Sequence, residues 1–287
     1  MSNILSIDVG GTRIKAAVIP NDVSLEKLQS INVEVISNRG WLNGNLPRIV
    51  DPNLWASFTN KKFKLDTVDS IAIDGPWGVK PTGIYGYYVD TFGIPRDLSS
   101  KLCEYSNKKV LNCLNDAEAW MKGMIRYYQL SKQEIVFPVL AVILGTGTGL
   151  AFADSNHHIQ GIELSAINSP FDRLRRYEKF NYAYEIHNIL SEKGFFGSLT
   201  NKEERKQWDY DKVRAEYTLR IGGLVKDILP ALKNKPSTII VGGGFSEYVS
   251  QRTVQEYTNI SVRVIRKLDL DINPDLIPLI GNITDIV

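Results

Sequence analysis

Three glycine-rich stretches and one Asx pair are the parts of this 287-residue sequence whose residue types could do chemistry. The first is Ile7-Asp8-Val9-Gly10-Gly11-Thr12, an apolar run ending on an aspartate and turning through two glycines and a hydroxyl. Such a turn can bring backbone N–H groups and the Thr12 hydroxyl up to a phosphate, because glycine accepts positive φ and carries no obstructing side chain. A plain hairpin turn would explain it equally well in isolation. A second run, Ile143-Leu144-Gly145-Thr146-Gly147-Thr148-Gly149, has the same strand, turn, strand character, and a pair of such turns favours phosphate. Beside phosphates, the Asp8 carboxylate needs an intervening cation. It is therefore assigned to Mg2+, held through water because magnesium dehydrates reluctantly.

The third stretch, Val241-Gly242-Gly243-Gly244-Phe245-Ser246, follows an apolar strand and precedes a helical pattern, which would place backbone at a helix N-terminus ready for a nucleotide. A dinucleotide fingerprint does not fit, since its glycines belong in the first βαβ unit with an acidic residue after the next strand. The Gly-Lys-Ser/Thr phosphate loop and the protein-kinase signature set are both missing. Asn115 and Asp116 stand where a strand ends and a helix begins. Helix capping would account for either of them.

These elements need a framework to position them. Strands are expected at 4–9, 14–19, 31–36, 70–73, 109–114, 139–144, 150–153, 238–241 and 262–265, and helices near 98–105, 117–130, 211–229 and 247–257. Hairpins followed by strands alternating with helices define an α/β protein with mixed sheets. The repeated glycine-tipped hairpin implies two related lobes, 1–115 and 116–287, with the cleft between them as the default site. Residues 173–208 read as a helical insertion.

Taken together and in order, these segments resemble the ROK family of bacterial sugar kinases, within the actin/hexokinase/Hsp70 superfamily. Asp8 to Lys15 is similar to that family's first phosphate motif, Asn115-Asp116-Ala117-Glu118-Ala119 to its catalytic Asn-Asp-Ala motif, Leu144 to Gly149 to its second phosphate motif, and Gly242-Gly243-Gly244 to its adenosine motif. The resemblance implies two ribonuclease-H-like (actin-like ATPase) lobes around a deep cleft, with a last helix at about 274–287 returning to the first lobe. It implies transfer of the ATP γ-phosphate to a hexose hydroxyl, commonly on C6, with ATP and Mg2+ as cofactors. Asp116 falls on the family's general base, and Asn115 would orient a sugar hydroxyl. The nucleotide falls to Gly10, Gly11, Thr12, Gly145, Thr146, Gly147, Thr148, Gly242, Gly243, Gly244 and Phe245.

Two departures bear on the sugar. Asp90-Thr91-Phe92-Gly93 replaces the family's Asn-x-x-Gly-Trp segment, which makes Asp90 the candidate ligand. Gly161-Ile162-Glu163 keeps the glutamate of a Gly-Glu-x-Gly-His segment without its histidine. Gly75, in Asp74-Gly75-Pro76, corresponds to backbone near the cleft floor. The family's zinc-binding cysteine motif is absent. The plain reading of Cys103 and Cys113 is two buried free thiols.

Composition narrows the partners. A net charge of +2 from 34 basic and 32 acidic residues forms no block suited to nucleic acid or membrane, and no apolar run approaches the roughly 20 residues of a membrane helix. Repressor relatives carry an added helix-turn-helix, whereas here the core strand starts at Ile4. A cytoplasmic enzyme with small-molecule partners is expected, and the resemblance suggests a homodimer. His157 and His158 read as a hairpin turn. Arg13 and Lys15 flank the first turn, but strand alternation lets only one face inward, and neither is assigned to the site.

Overall fold

A computed structural model of the protein describes residues 2–10, 13–37, 65–86, 89, 94–145, 148–162 and 210–284. Its contacts divide the chain into two units, 1–134 with 271–287, and 135–270.

The first unit is built on a five-stranded sheet of β1 (Asn3–Val9), β2 (Arg13–Pro20), β3 (Glu34–Ser37), β4 (Ser70–Gly75) and β7 (Lys109–Asn115), ordered β3-β2-β1-β4-β7. β1 pairs antiparallel with β2 and parallel with β4, and β4 pairs parallel with β7. The short helix α1 (Leu25–Ser30) is capped by Ser24, whose hydroxyl accepts from the Lys27 N–H. The small hairpin β5 (Gly78–Lys80) and β6 (Gly83–Tyr85) leads to α2 (Leu98–Ser106). The second unit repeats the plan with β8 (Val139–Leu144), β9 (Thr148–Ala153), β10 (Ile159–Ile162), β11 (Thr238–Gly242) and β12 (Ser261–Val264), ordered β10-β9-β8-β11-β12. Helices α4 (Tyr210–Ile228) and α5 (Gln251–Thr258) belong to it. The strand directions match too: β9 runs antiparallel to β8 and to β10, while β8, β11 and β12 are parallel.

Each sheet therefore puts a hairpin on one side of its central strand and parallel neighbours on the other. The parallel centre explains why β1, β4, β8 and β11 are almost wholly buried and read as apolar runs rather than as alternating strands. Leu5, Ile7, Ile71, Ile73 and Trp77 pack in one core, and Leu140, Val142, Tyr217, Ile221, Ile239 and Val241 in the other.

The boundary expected at 115/116 falls inside the first unit. The cause is α3 (Asp116–Leu130), which packs against the C-terminal helix α6 (Leu276–Ile283), itself seated on β1 and β4. The two helices meet backbone to backbone: a Cβ on Gly123 would overlap the Ile277 carbonyl, and one on Gly281 would overlap the Ala119 carbonyl. Glycine inside a helix costs about 1 kcal/mol relative to alanine, and here the close approach requires it. Ser6 Oγ donates to the Leu279 carbonyl at 2.8 Å, and Asn112 Nδ2 donates to the Asn282 carbonyl at 2.7 Å.

Most expected strands are observed within one or two residues. β3 starts three residues late because α1, unrecognised in the sequence, occupies the chain just before it. The β5–β6 hairpin and β10 were not expected either. Residues 173–208 lie outside the described residues. Cys103 is exposed on α2 instead of buried, and Cys113 is partly buried, with burial pushing its thiol up to about 12. Among the described residues no helix is long and apolar enough to cross a membrane.

Replacing Gly123 with valine is expected to destabilise the protein by about 2 kcal/mol or more in urea unfolding, the usual scale for overpacking. Gly223→Ala on α4, where an added Cβ meets nothing within 4 Å, is expected to be neutral or stabilising by up to about 1 kcal/mol. Equal effects would contradict the packing described.

Candidate active site

The chemistry of the first unit lies along one row across its sheet. In register, Lys15 on β2 faces Asp8 on β1, and Asp8 faces Asp74 on β4. One residue further along, Gly75 faces Asn115 at the end of β7. Asp116 follows as the first residue of α3. Adjacent strands and the start of α3 thus bring Asp8 and Lys15, seven residues apart, together with Asp74 and Asp116 from further along the chain.

Asp74 is fully buried. Its Oδ2 accepts from Asn282 Nδ2 at 2.5 Å, whereas its Oδ1 has no hydrogen-bond donor among the described residues. Burial raises its pKa well above the ordinary carboxylate range, the charges of Asp8 and Asp116 raise it further, and the Asn282 amide opposes them. Asp74 is accordingly held toward its neutral form. Asp8 is also buried, and its Oδ2 accepts from Lys15 Nζ at 2.7 Å. Burial pulls the Lys15 pKa down, but attraction to Asp8, and then to Asp275, more than compensates, so the ammonium persists. Lys15 was left out of the site on sequence grounds, yet it is the β2 residue on the same face as Asp8. Arg13, two residues earlier, is exposed.

Asn115 behaves as a helix cap. Its Oδ1 accepts from the Ala117 and Glu118 N–H groups at 3.1 and 3.3 Å, and its Nδ2 donates to the Trp77 carbonyl at 2.9 Å. Its second amide hydrogen has no partner among the described residues. Asp116 Oδ1 accepts from the Ala117 N–H at 2.8 Å. Gly75 is explained by its neighbour, since a Cβ there would run into the Trp77 ring. At the first turn the Gly10 N–H donates to the Arg13 carbonyl at 2.9 Å. Gly11 and Thr12 lie outside the described residues, as do Asp90 and Glu163.

The second unit gathers its glycine runs at one place. Gly243 adopts φ +91° and lies so close to the Leu144 backbone that a Cβ would overlap it. The Phe245 N–H donates to the Leu144 carbonyl at 3.2 Å. The Gly242-Gly243-Gly244 turn therefore wraps the end of β8 where Gly145 begins the hairpin turn. Thr148, which reopens the chain as β9, is buried with its hydroxyl unpartnered among the described residues. Thr146 and Gly147 lie outside them. Gly244 has open space around its Cα, and Phe245 stacks on Tyr248 with ring centroids 6.2 Å apart. The glycine run does not open an α-helix directly, contrary to expectation: a 3₁₀ turn at Ser246–Tyr248 intervenes, and α5 starts at Gln251 with Ser250 as its cap. His157, at φ 65°, sits in the β9–β10 turn.

No family model matches the chain. Among solved structures, the inorganic polyphosphate/ATP-glucomannokinase from Arthrobacter sp. strain KM is similar over 99% of this chain and 97% of its own, with a TM-score of 0.61 at 16% identity. The ROK family glucokinase from Streptomyces griseus, solved with glucose and AMPPNP, is similar over 98% of both chains, with a TM-score of 0.55 at 16% identity. The fold is that of the ROK sugar kinases. It bears out the α/β, actin-like ATPase architecture expected from the sequence. The N-acetylmannosamine kinase of Vibrio cholerae is 24% identical over 155 residues, which is 53% of this chain. The match spans about half the length, 49%, of that curated relative.

Magnesium can be tested against these residues. Among the described residues no group of three His, Cys, Asp or Glu could enclose a metal ion, but magnesium commonly keeps its waters and uses one or two carboxylates. Asp8, with Asp74 opposite it in register, fits that mode.

Because its folded pKa is raised, Asp74 binds a proton in the folded protein that the unfolded chain releases above an ordinary carboxylate pKa. Its stabilising contribution is complete at low pH and declines as pH rises toward the folded value. Asp74→Asn, permanently neutral, is therefore expected to gain melting temperature relative to wild type as pH is raised above the ordinary carboxylate range. A difference that is flat with pH would contradict a raised Asp74 pKa.

Proposed function

We propose that this protein transfers the γ-phosphate of ATP to a hydroxyl of a hexose or hexose derivative, with Asp116 as the general base. The observation that carries the proposal is the placement of Asp116 at the C-terminal edge of the parallel strands, on a capped helix N-terminus beside the Asp8–Asp74 pair, in a fold shared with sugar kinases.

A sugar hydroxyl is a weak nucleophile. In the proposed step its oxygen attacks the γ-phosphorus while its proton passes to the Asp116 carboxylate, and the bond to ADP breaks. Asn115 holds the first turn of α3 in place and offers its remaining amide hydrogen to the sugar. The turn at Gly10, Gly11 and Thr12 takes phosphate oxygens, as do Gly145, Thr146, Gly147 and the Thr148 hydroxyl, which has no partner among the described residues. Gly242, Gly243, Gly244 and Phe245 take the adenosine, helped by the open space at Gly244. Asp90, Glu163 and Gly75 belong to the sugar side. Asp8 holds Mg2+ through water, and the ion when bound neutralises charge on the phosphate oxygens.

The test is ADP release from Mg·ATP with a panel of glucose, mannose, N-acetylmannosamine and N-acetylglucosamine. Sugar-dependent release that falls by at least about 10²-fold in Asp116→Ala, with ATP affinity kept, is expected for loss of a general base. Absence of release with every sugar despite measurable ATP binding would overturn the kinase reading. Near-normal turnover in Asp116→Ala would overturn the base assignment.

A further inference from the structure

The Asp8 carboxylate lies between two unlike neighbours. On one side is the buried Asp74, whose Oδ1 has no donor among the described residues. On the other is the Lys15 ammonium, 2.7 Å away. An ammonium so close to Asp8 Oδ2 occupies space that another cation, or its bound water, would need at that oxygen. Lysine suits an exchangeable contact, because it is a point charge on a flexible four-carbon stem with no fixed fork geometry. It also has a second acceptor within reach, Asp275 Oδ1 at 3.6 Å, at the start of α6 and more exposed than Asp8. Displacement from Asp8 would thus leave the ammonium paired instead of stranded.

We propose that Lys15 is an exchangeable counter-ion: it holds the Asp8 carboxylate when no divalent cation is bound, competes with that cation for Asp8, and passes to Asp275 when the cation arrives. This rests on Asp8 as the metal-bearing carboxylate of the proposed function, but it concerns binding and not turnover. Lys15 is a positioning residue in this scheme.

The test measures Mn2+ binding to the nucleotide-free protein, following free Mn2+ by electron paramagnetic resonance. Lys15→Met is expected to bind Mn2+ about 5-fold more tightly than wild type, the scale of a partly exposed ion pair removed from competition. Lys15→Arg, which keeps the charge, is expected to show no such gain, and Lys15→Gln stands in should the methionine variant fail to fold. In an Asp8→Asn background the effect of Lys15→Met is expected to disappear. Unchanged or weaker Mn2+ binding in the neutral variants, or a gain that persists without Asp8, would overturn the proposal. If no sugar supports ADP release while the Asp8-dependent gain is observed, the kinase reading fails and the counter-ion role stands.

Discussion

A carboxylic acid with no exposure to water has to be held by something. In this protein the holding group comes from the far end of the chain. Asn282 Nδ2 lies within hydrogen-bonding distance of Asp74 Oδ2, Ser6 Oγ and the Ile7 carbonyl, so one amide ties the C-terminal helix to the two central strands of the first sheet. An unpaired buried polar group costs on the order of 1–3 kcal/mol, and the seating of α6 avoids that cost at Asp74 Oδ2. α6 must be seated on β1 and β4 for Asn282 to reach, and α3 must then accept α6 at glycine distance. Since α3 carries Asp116 as its first residue, the packing that satisfies Asp74 also fixes where Asp116 begins.

The second unit reaches a comparable end by other means. It gathers no acids among its described residues in the manner of the first unit. Its candidate site is instead backbone and hydroxyl: a left-handed glycine folded onto the end of β8, and a buried threonine without a partner among the described residues. The two units share strand order and strand direction, yet one presents carboxylates and the other a glycine turn and a buried hydroxyl. That division matches phosphoryl transfer, in which little covalent chemistry is asked of the protein and positioning with charge neutralisation carries most of the work.

What could be read from the sequence divides along physical lines. Buried parallel strands announce themselves as apolar runs, and glycine turns and the Asn115-Asp116 junction are local features, so their positions were legible within a residue or two. The unit boundary was not. It depends on Gly123 and Gly281 meeting across 158 positions of sequence, and a glycine in a helix pattern signals only a weak helix until its partner is known. Lys15 was missed for a related reason, since alternation along β2 identifies a face but only the register with β1 identifies it as the face of Asp8. α1 is one and a half turns long and rests on its Ser24 cap, too little pattern for periodicity to register. The capping use of Asn115 was legible as an alternative, and the geometry adds the Trp77 carbonyl that no local pattern could supply.

The central claim is that phosphate leaves ATP for a sugar oxygen and not for water. The most direct measurement is 31P nuclear magnetic resonance of the protein with Mg·ATP and each sugar that promotes nucleotide turnover. The account predicts a phosphomonoester resonance coupled to sugar protons, growing in step with ADP. Growth of inorganic phosphate alone would show that water is the acceptor and would contradict it.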